Sequence, residues 1–186
     1  MGIQGETVTY VEKGRGPLRD TTWVLRGDEL LVHKKGSPDT IVSLTRLQHV
    51  CLERHRNKGG PYHQLVLTSS DGQRWFISTG NLPWWRSQAK LDEWQRLVRL
   101  LLNRLASLHT VRFQAGSGFV FYSRLTGCLF CLVVSLYQFD GQMQLAWFFA
   151  VLAAVQALDL PGQRPREFDP RNPPADLMGS PASGLM

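Results

Sequence analysis

Cysteine is scarce in this chain. Three cysteines among 186 residues cannot build a disulfide framework, which excludes a small secreted scaffold held by cross-links. Cys51 is alone in the polar part of the chain, while Cys128 and Cys131 sit inside an apolar tract. A reducing, cytoplasmic setting follows as the expectation. The first dozen residues are polar and alternating and lack the apolar core of a signal peptide. Acidic residues are also in short supply: 15 Asp+Glu face 21 Lys+Arg, a net charge of +6.

Recognisable catalytic patterns are missing too. No glycine-flanked nucleophile elbow occurs. Gly116-Ser117-Gly118 has neither the context nor the lysine of a phosphate loop and reads as a hinge. Cys128-Leu129-Phe130-Cys131 has the C-x-x-C spacing but no second ligand pair and no polar surroundings, so it reads as soft packing between helices. His33, His49, His55, His63 and His109 are scattered. His49, Cys51 and His55 could share one face of a strand, yet no carboxylate is evident with them. We expect neither an enzyme nor a bound metal or other cofactor.

What is present is segregated. Residues 1–110 hold 16 of the basic and 10 of the acidic residues, so the whole positive balance lies there. Such a part can meet nucleic acid, anionic lipid or an acidic protein. Residues 6–12, 21–26, 30–33, 41–47, 49–56, 62–68 and 74–78 read as short strands, rich in β-branched and aromatic residues and separated by turn signals such as Gly27-Asp28 and Asp71-Gly72. From Ser87 the period changes: Leu91, Trp94, Leu97, Val98, Leu101, Leu102, Leu105 and Leu108 recur at steps of three and four, predicting an amphipathic helix of about 20 residues.

Beyond a hinge at 111–117, residues 119–139 and 143–158 are strongly apolar and are joined by Asp140-Gly141-Gln142. Each is near the lower limit of roughly 17–25 residues for a membrane span. The second is short enough to leave a re-entrant hairpin open. Arg112 and Arg124 precede the first tract, and Arg164, Arg166 and Arg171 follow the second. The positive-inside rule then puts both ends on the cytoplasmic face of the inner (plasma) membrane. Arg124 would cost about 2.5–3.5 kcal/mol at mid-bilayer and is expected to snorkel to the interface. Trp147 and the pair Trp84-Trp85 are further interface candidates. Residues 161–186 carry repeated prolines and read as an extended tail, largely disordered at its end.

Seven short strands followed by one amphipathic helix resemble the pleckstrin-homology (PH) superfold. The segment Lys90-Leu91-Asp92-Glu93-Trp94-Gln95-Arg96-Leu97 looks like its closing helix, with Trp94 as the tryptophan that packs on the barrel. The run from Trp23 to Leu47 is similar to bacterial PH-like domains. Many of those are fused to paired transmembrane segments in uncharacterised membrane proteins, and the stretch Arg164-Pro165-Arg166-Glu167-Phe168-Asp169-Pro170 looks like the end of such proteins. The resemblance implies an α+β, mainly β fold: a seven-strand antiparallel PH-like barrel over residues 1–110, capped by its helix and followed by a two-helix transmembrane hairpin over 118–160. In lipid-binding members, basic residues of the first hairpin grip headgroup phosphates. Lys13, Arg15 and Arg19 occupy that loop, but their spacing departs from a phosphoinositide motif.

The expected function is a non-enzymatic, membrane-anchored module that contacts anionic lipid or a partner protein at the cytoplasmic face. The contact candidates are Lys13, Arg15, Arg19, Lys34, Lys35, Arg54, Arg56 and Lys58. A tethered domain has anionic headgroups as its nearest polyanion, so nucleic acid is not expected as a partner. The alternative is an accessory subunit of a larger membrane complex, or self-association, with Arg124 and the glutamines of the second tract at helix contacts.

Overall fold

The computed structural model describes residues 7–12, 20–57, 60–79, 87–108, 110–138 and 143–178. It contains strands β1 (Val8–Glu12), β2 (Thr21–Arg26), β3 (Glu29–Lys34) and β4 (Thr40–Ser43), then β5 (Leu47–Asn57), β6 (Gly60–Ser69) and β7 (Arg74–Ser78). Helix α1 (Ser87–Leu105) and strand β8 (Arg112–Ala115) follow. Next come helices α2 (Gly118–Gln138) and α3 (Met143–Gln163), strand β9 (Arg166–Glu167) and helix α4 (Ala175–Met178). The fold is α+β and mostly β in its N-terminal part. The chain divides into two compact units, one comprising Met1–Gln114 with Glu167–Met186 and the other Ala115–Arg166.

The first sheet follows from two-residue alternation. Val8 and Tyr10 on β1 point inward, as do Trp23 and Leu25 on β2, Leu30 on β3 and Val42 on β4. The register aligns them, with Tyr10 opposite Trp23, Val8 opposite Leu25, Leu25 opposite Leu30 and Leu30 opposite Val42. Each such apolar side chain stabilises the fold by about 1.5–3 kcal/mol relative to exposure. The β2–β3 turn has positive φ at Gly27 (56°) and at no non-glycine residue, the pattern of a type II′ hairpin with glycine first.

The expected closed barrel is not formed. The strands make a four-stranded sheet, β1-β2-β3-β4, and a five-stranded one, β7-β6-β5-β8-β9. A 3-10 turn, Leu44–Arg46, passes the chain between them, with buried Leu44 donating its N–H to the Asp28 carbonyl at 2.9 Å. β5 is paired with β6 on one side and β8 on the other, so it has no edge left for the first sheet. Where β1 approaches β7, side chains replace the ladder. Tyr10 Oη donates to the Ser78 carbonyl (2.6 Å), and the Glu12 carboxylate accepts from Ser78 Oγ (2.5 Å) and Ser78 N–H (3.3 Å).

Helix α1 covers the core. Trp94, Leu97, Val98, Leu101, Leu102 and Leu105 are all completely buried, one stripe at helical spacing. Trp94 Nε1 donates to the Ile77 carbonyl at 3.1 Å, so the ring is both buried and satisfied.

Two expectations about the rest of the chain are corrected. Residues 112–115, read as part of a hinge, form β8 within the second sheet. Residues 167–178, read as part of an extended tail, return to the β unit. The Phe168 N–H donates to the Phe113 carbonyl (3.3 Å), and the two rings meet edge to face at 5.9 Å. Leu177 and Met178 are 1% exposed. His63 Nδ1–H donates to the Leu177 carbonyl (2.7 Å), and Gln95 Nε2 donates to that of Met178 (2.6 Å). The intervening prolines preset φ and lower the entropy cost of ordering the segment. The expectation of disorder at the end falls on residues 179–186, outside the described set.

In the other unit α2 packs on α3 through small side chains. Cys128, Cys131, Ala146 and Ala153 are buried, and Ser135 Oγ donates to the Ala146 carbonyl at 2.7 Å. Outward-facing residues are large and apolar, including Phe119 (85% exposed), Leu136 (76%) and Trp147 (62%). Of the described helices, α2 alone is long and apolar enough to cross a membrane, over Gly118–Tyr137 at mean hydropathy 1.8; the apolar part of α3 is the shorter Met143–Ala157. The turn at 140–142 lies outside the described residues.

Candidate functional site

The basic candidates fall on strand ends, and the register shows how they group. Glu12, Thr21 and Lys34 stand side by side across β1, β2 and β3. Lys34, exposed, thus lies at the sheet end where β1 finishes and β2 begins. Lys35, exposed in the next turn, donates its N–H to the Asp20 carbonyl at 3.5 Å, tying the β3–β4 turn to the residue just before β2. In the second sheet Arg54 is exposed on β5 and lies opposite His63, and Arg56 lies opposite Pro61 toward the β5–β6 tip. Gln64 pairs with Ser78, which Glu12 holds. The end of β1 therefore meets the end of β7 that lies toward the β5–β6 end of the second sheet, so Lys34, Lys35 and Arg54, with the strand position of Arg56, fall at one end of the β unit. Lys13, Arg15, Arg19, Lys58, Trp84 and Trp85 lie outside the described residues.

This end is not purely cationic. His33 contacts the Asp39 carboxylate, and Glu53 accepts from His55 Nε2 at 2.8 Å. Glu53 belongs to a polar row that the sequence reading missed. His49, Cys51, Glu53 and His55 alternate along β5. His49 Nε2 meets Gln114 Oε1 (3.0 Å), the Cys51 thiol faces Glu53 Oε1 (3.6 Å), and His55 stacks on Tyr62 at 5.0 Å. The signal was in the odd numbering, which places Glu53 between the cysteine and the histidine.

Chemically the row is quiet. Burial, reinforced by the Glu53 carboxylate, pushes the Cys51 thiol up to about 12, so it stays protonated and is a poor nucleophile at neutral pH. Burial also lowers the pKa of His63, with the Arg54 cation acting in the same direction, while its bond to the Leu177 carbonyl and the Asp176 carboxylate oppose. Among the described residues no three His, Cys, Asp or Glu side chains are arranged to hold a metal ion.

The remaining candidates lie on the helical unit. Arg124 is half-buried on α2, and Trp147 is exposed near the start of α3. No family model, curated protein or solved structure matches the chain.

Proposed function

We propose that this chain is a non-enzymatic, membrane-anchored PH-like module, held by a two-span helical hairpin with the β unit and both termini on the cytoplasmic side of the plasma membrane. The β unit contacts anionic lipid or a partner protein through its basic end. One observation carries the reading: β8 and β9, through which the chain leaves and re-enters the β unit, are adjacent strands of one sheet. An apolar segment that starts and finishes in the same folded sheet must return to the side from which it left. If α2 crosses, the shorter α3 crosses back.

Other features support this. The exposed faces of α2 and α3 are apolar on a scale that water does not favour and lipid does. The shortness of the α3 apolar stretch is accommodated by local bilayer thinning or flanking polar residues at modest cost. Arg112, Arg164, Arg166 and Arg171 flank the hairpin on the domain side, as the positive-inside rule requires. Four strands, three strands and a capping helix with buried Trp94 follow the PH order. A reporter placed before Met1, at Gly141 or after Met186 tests the arrangement. The two termini are expected on the cytoplasmic face and Gly141 on the opposite one; termini on opposite faces overturn it.

A further inference from the structure

The returning tail creates a feature that the membrane reading does not use. A cavity of about 360 Å3 lies between α1 and the segment 170–178, lined by Arg99, Asn103, Arg171, Asn172, Pro170 and Met178 among others. That volume is in the range of small-ligand sites, about 300–1,000 Å3. Arg99 and Asn103 are four residues apart, on the outward face of α1, one turn beyond Gln95. Gln95 itself grips the Met178 carbonyl at 2.6 Å and fixes the far wall.

The opposite lip is a built turn. Asp169 Oδ1 accepts the Arg171 N–H (3.0 Å), and the Asp169 carbonyl accepts the Asn172 N–H (2.9 Å). Asp169 is thereby engaged with its own turn, and no carboxylate lines the cavity. Among the described residues neither Arg99 nor Arg171 is ion-paired. Two arginines from separate elements thus line one concave space together with two asparagines.

We infer that this cavity binds a phosphate monoester or inorganic phosphate, which Arg99 and Arg171 clamp from opposite walls while Asn103 and Asn172 supply further donors. A planar carboxylate is satisfied by one guanidinium fork. Two forks from different directions suit a tetrahedral group with three terminal oxygens and up to two negative charges. The ligand bridges α1 and the tail, so it binds the docked tail only and stabilises that state by mass action. The site is built entirely within the β unit and stands whether or not the hairpin spans a membrane.

The full chain in a neutral detergent tests this in two arms at constant ionic strength. One arm titrates inorganic phosphate; the other dopes the micelles with phosphatidic acid, whose headgroup is a phosphate monoester, against phosphatidylcholine. Thermal unfolding and proteolysis of the tail report binding. Saturable protection is expected in at least one arm. It should weaken about tenfold in Arg99→Gln and in Arg171→Gln, the loss of one charge-assisted contact, and be unaffected in Arg74→Gln, an exposed arginine elsewhere. Arg99→Lys, which keeps the charge but not the fork, should fall between. Protection by free phosphate alone identifies a soluble ligand, and protection by phosphatidic acid alone a lipid headgroup. No protection in either arm, or equal protection of wild type and both glutamine variants, overturns the inference.

Discussion

Leu177 is the sharpest test of how the chain is put together. It lies more than sixty residues beyond β8 in a proline-rich stretch, yet it is 1% exposed and its carbonyl accepts from buried His63. Truncating a core leucine to alanine costs about 2–5 kcal/mol, from lost transfer energy plus the cavity left behind. The tail can respond by undocking, so the loss is limited to what docking contributes. Met178 and the Gln95 bond would remain, which favours the lower half of the range, about 2–3 kcal/mol. For a unit of this size that is a fall in Tm of about 6–12 °C. The comparison is Ile41→Ala, a similar truncation at a residue 62% exposed, which should stay within about 0.5 kcal/mol. Thermal unfolding of the full chain in detergent reads the difference, and protease cleavage within residues 167–178 should rise in Leu177→Ala alone. If the two variants behave alike in both measurements, the tail is not part of the β unit.

Three further outcomes follow from the same geometry. A Cβ on Gly127 would stand 2.8 Å from Gln156 Oε1, the movable end of a side chain, so Gly127→Ala should cost under 1 kcal/mol while Gly127→Leu should destabilise the helical pair by about 1–3 kcal/mol in detergent unfolding. His63 has a lowered pKa when folded, so the unfolded chain takes up the proton first; stability should be intact above the ordinary histidine value near 6.5 and fall as pH drops below it, with a shallower fall in His63→Gln when unfolding is followed from pH 7 to 5. The Cys51 thiol, held at about 12, should react with a maleimide at neutral pH far more slowly in the folded protein than in denaturant; equal rates would contradict its burial.

Local chemistry was legible in the sequence, and long-range pairing was not. Alternation announced β2 with Trp23 and Leu25, the Gly27-Asp28 dipeptide announced its turn, and the three-four spacing of Trp94, Leu97, Val98 and Leu101 announced the covering helix. Non-closure of the barrel depends on β5 accepting β8 at its free edge, a choice between distant partners that no short window contains. β8 itself offers only Phe113 and Ala115 as apolar positions. The docking of the tail rests on Phe168, Leu177 and Met178, three anchors without a period, dispersed among prolines that by composition suggest disorder. Among the candidate contacts, the clustering of Lys34 and Lys35 with Arg54 and Arg56 comes from register and from the Glu12–Ser78 bonds, not from sequence proximity. The Arg99–Arg171 cavity joins two segments more than seventy residues apart and had no sequence signature at all.

In the proposed arrangement the apolar hairpin between β8 and β9 is the anchor. Adjacent Phe113 and Phe168 allow residues 116–165 to be replaced by a short Gly-Ser linker without disturbing β8 and β9. Membrane fractionation with carbonate extraction of the intact chain and of this shortened chain reads whether the hairpin holds the protein in the membrane. The intact chain is expected to stay in the membrane pellet and the shortened chain to be soluble and folded. An intact chain released by carbonate, or a shortened chain that remains integral to the membrane, would contradict that arrangement.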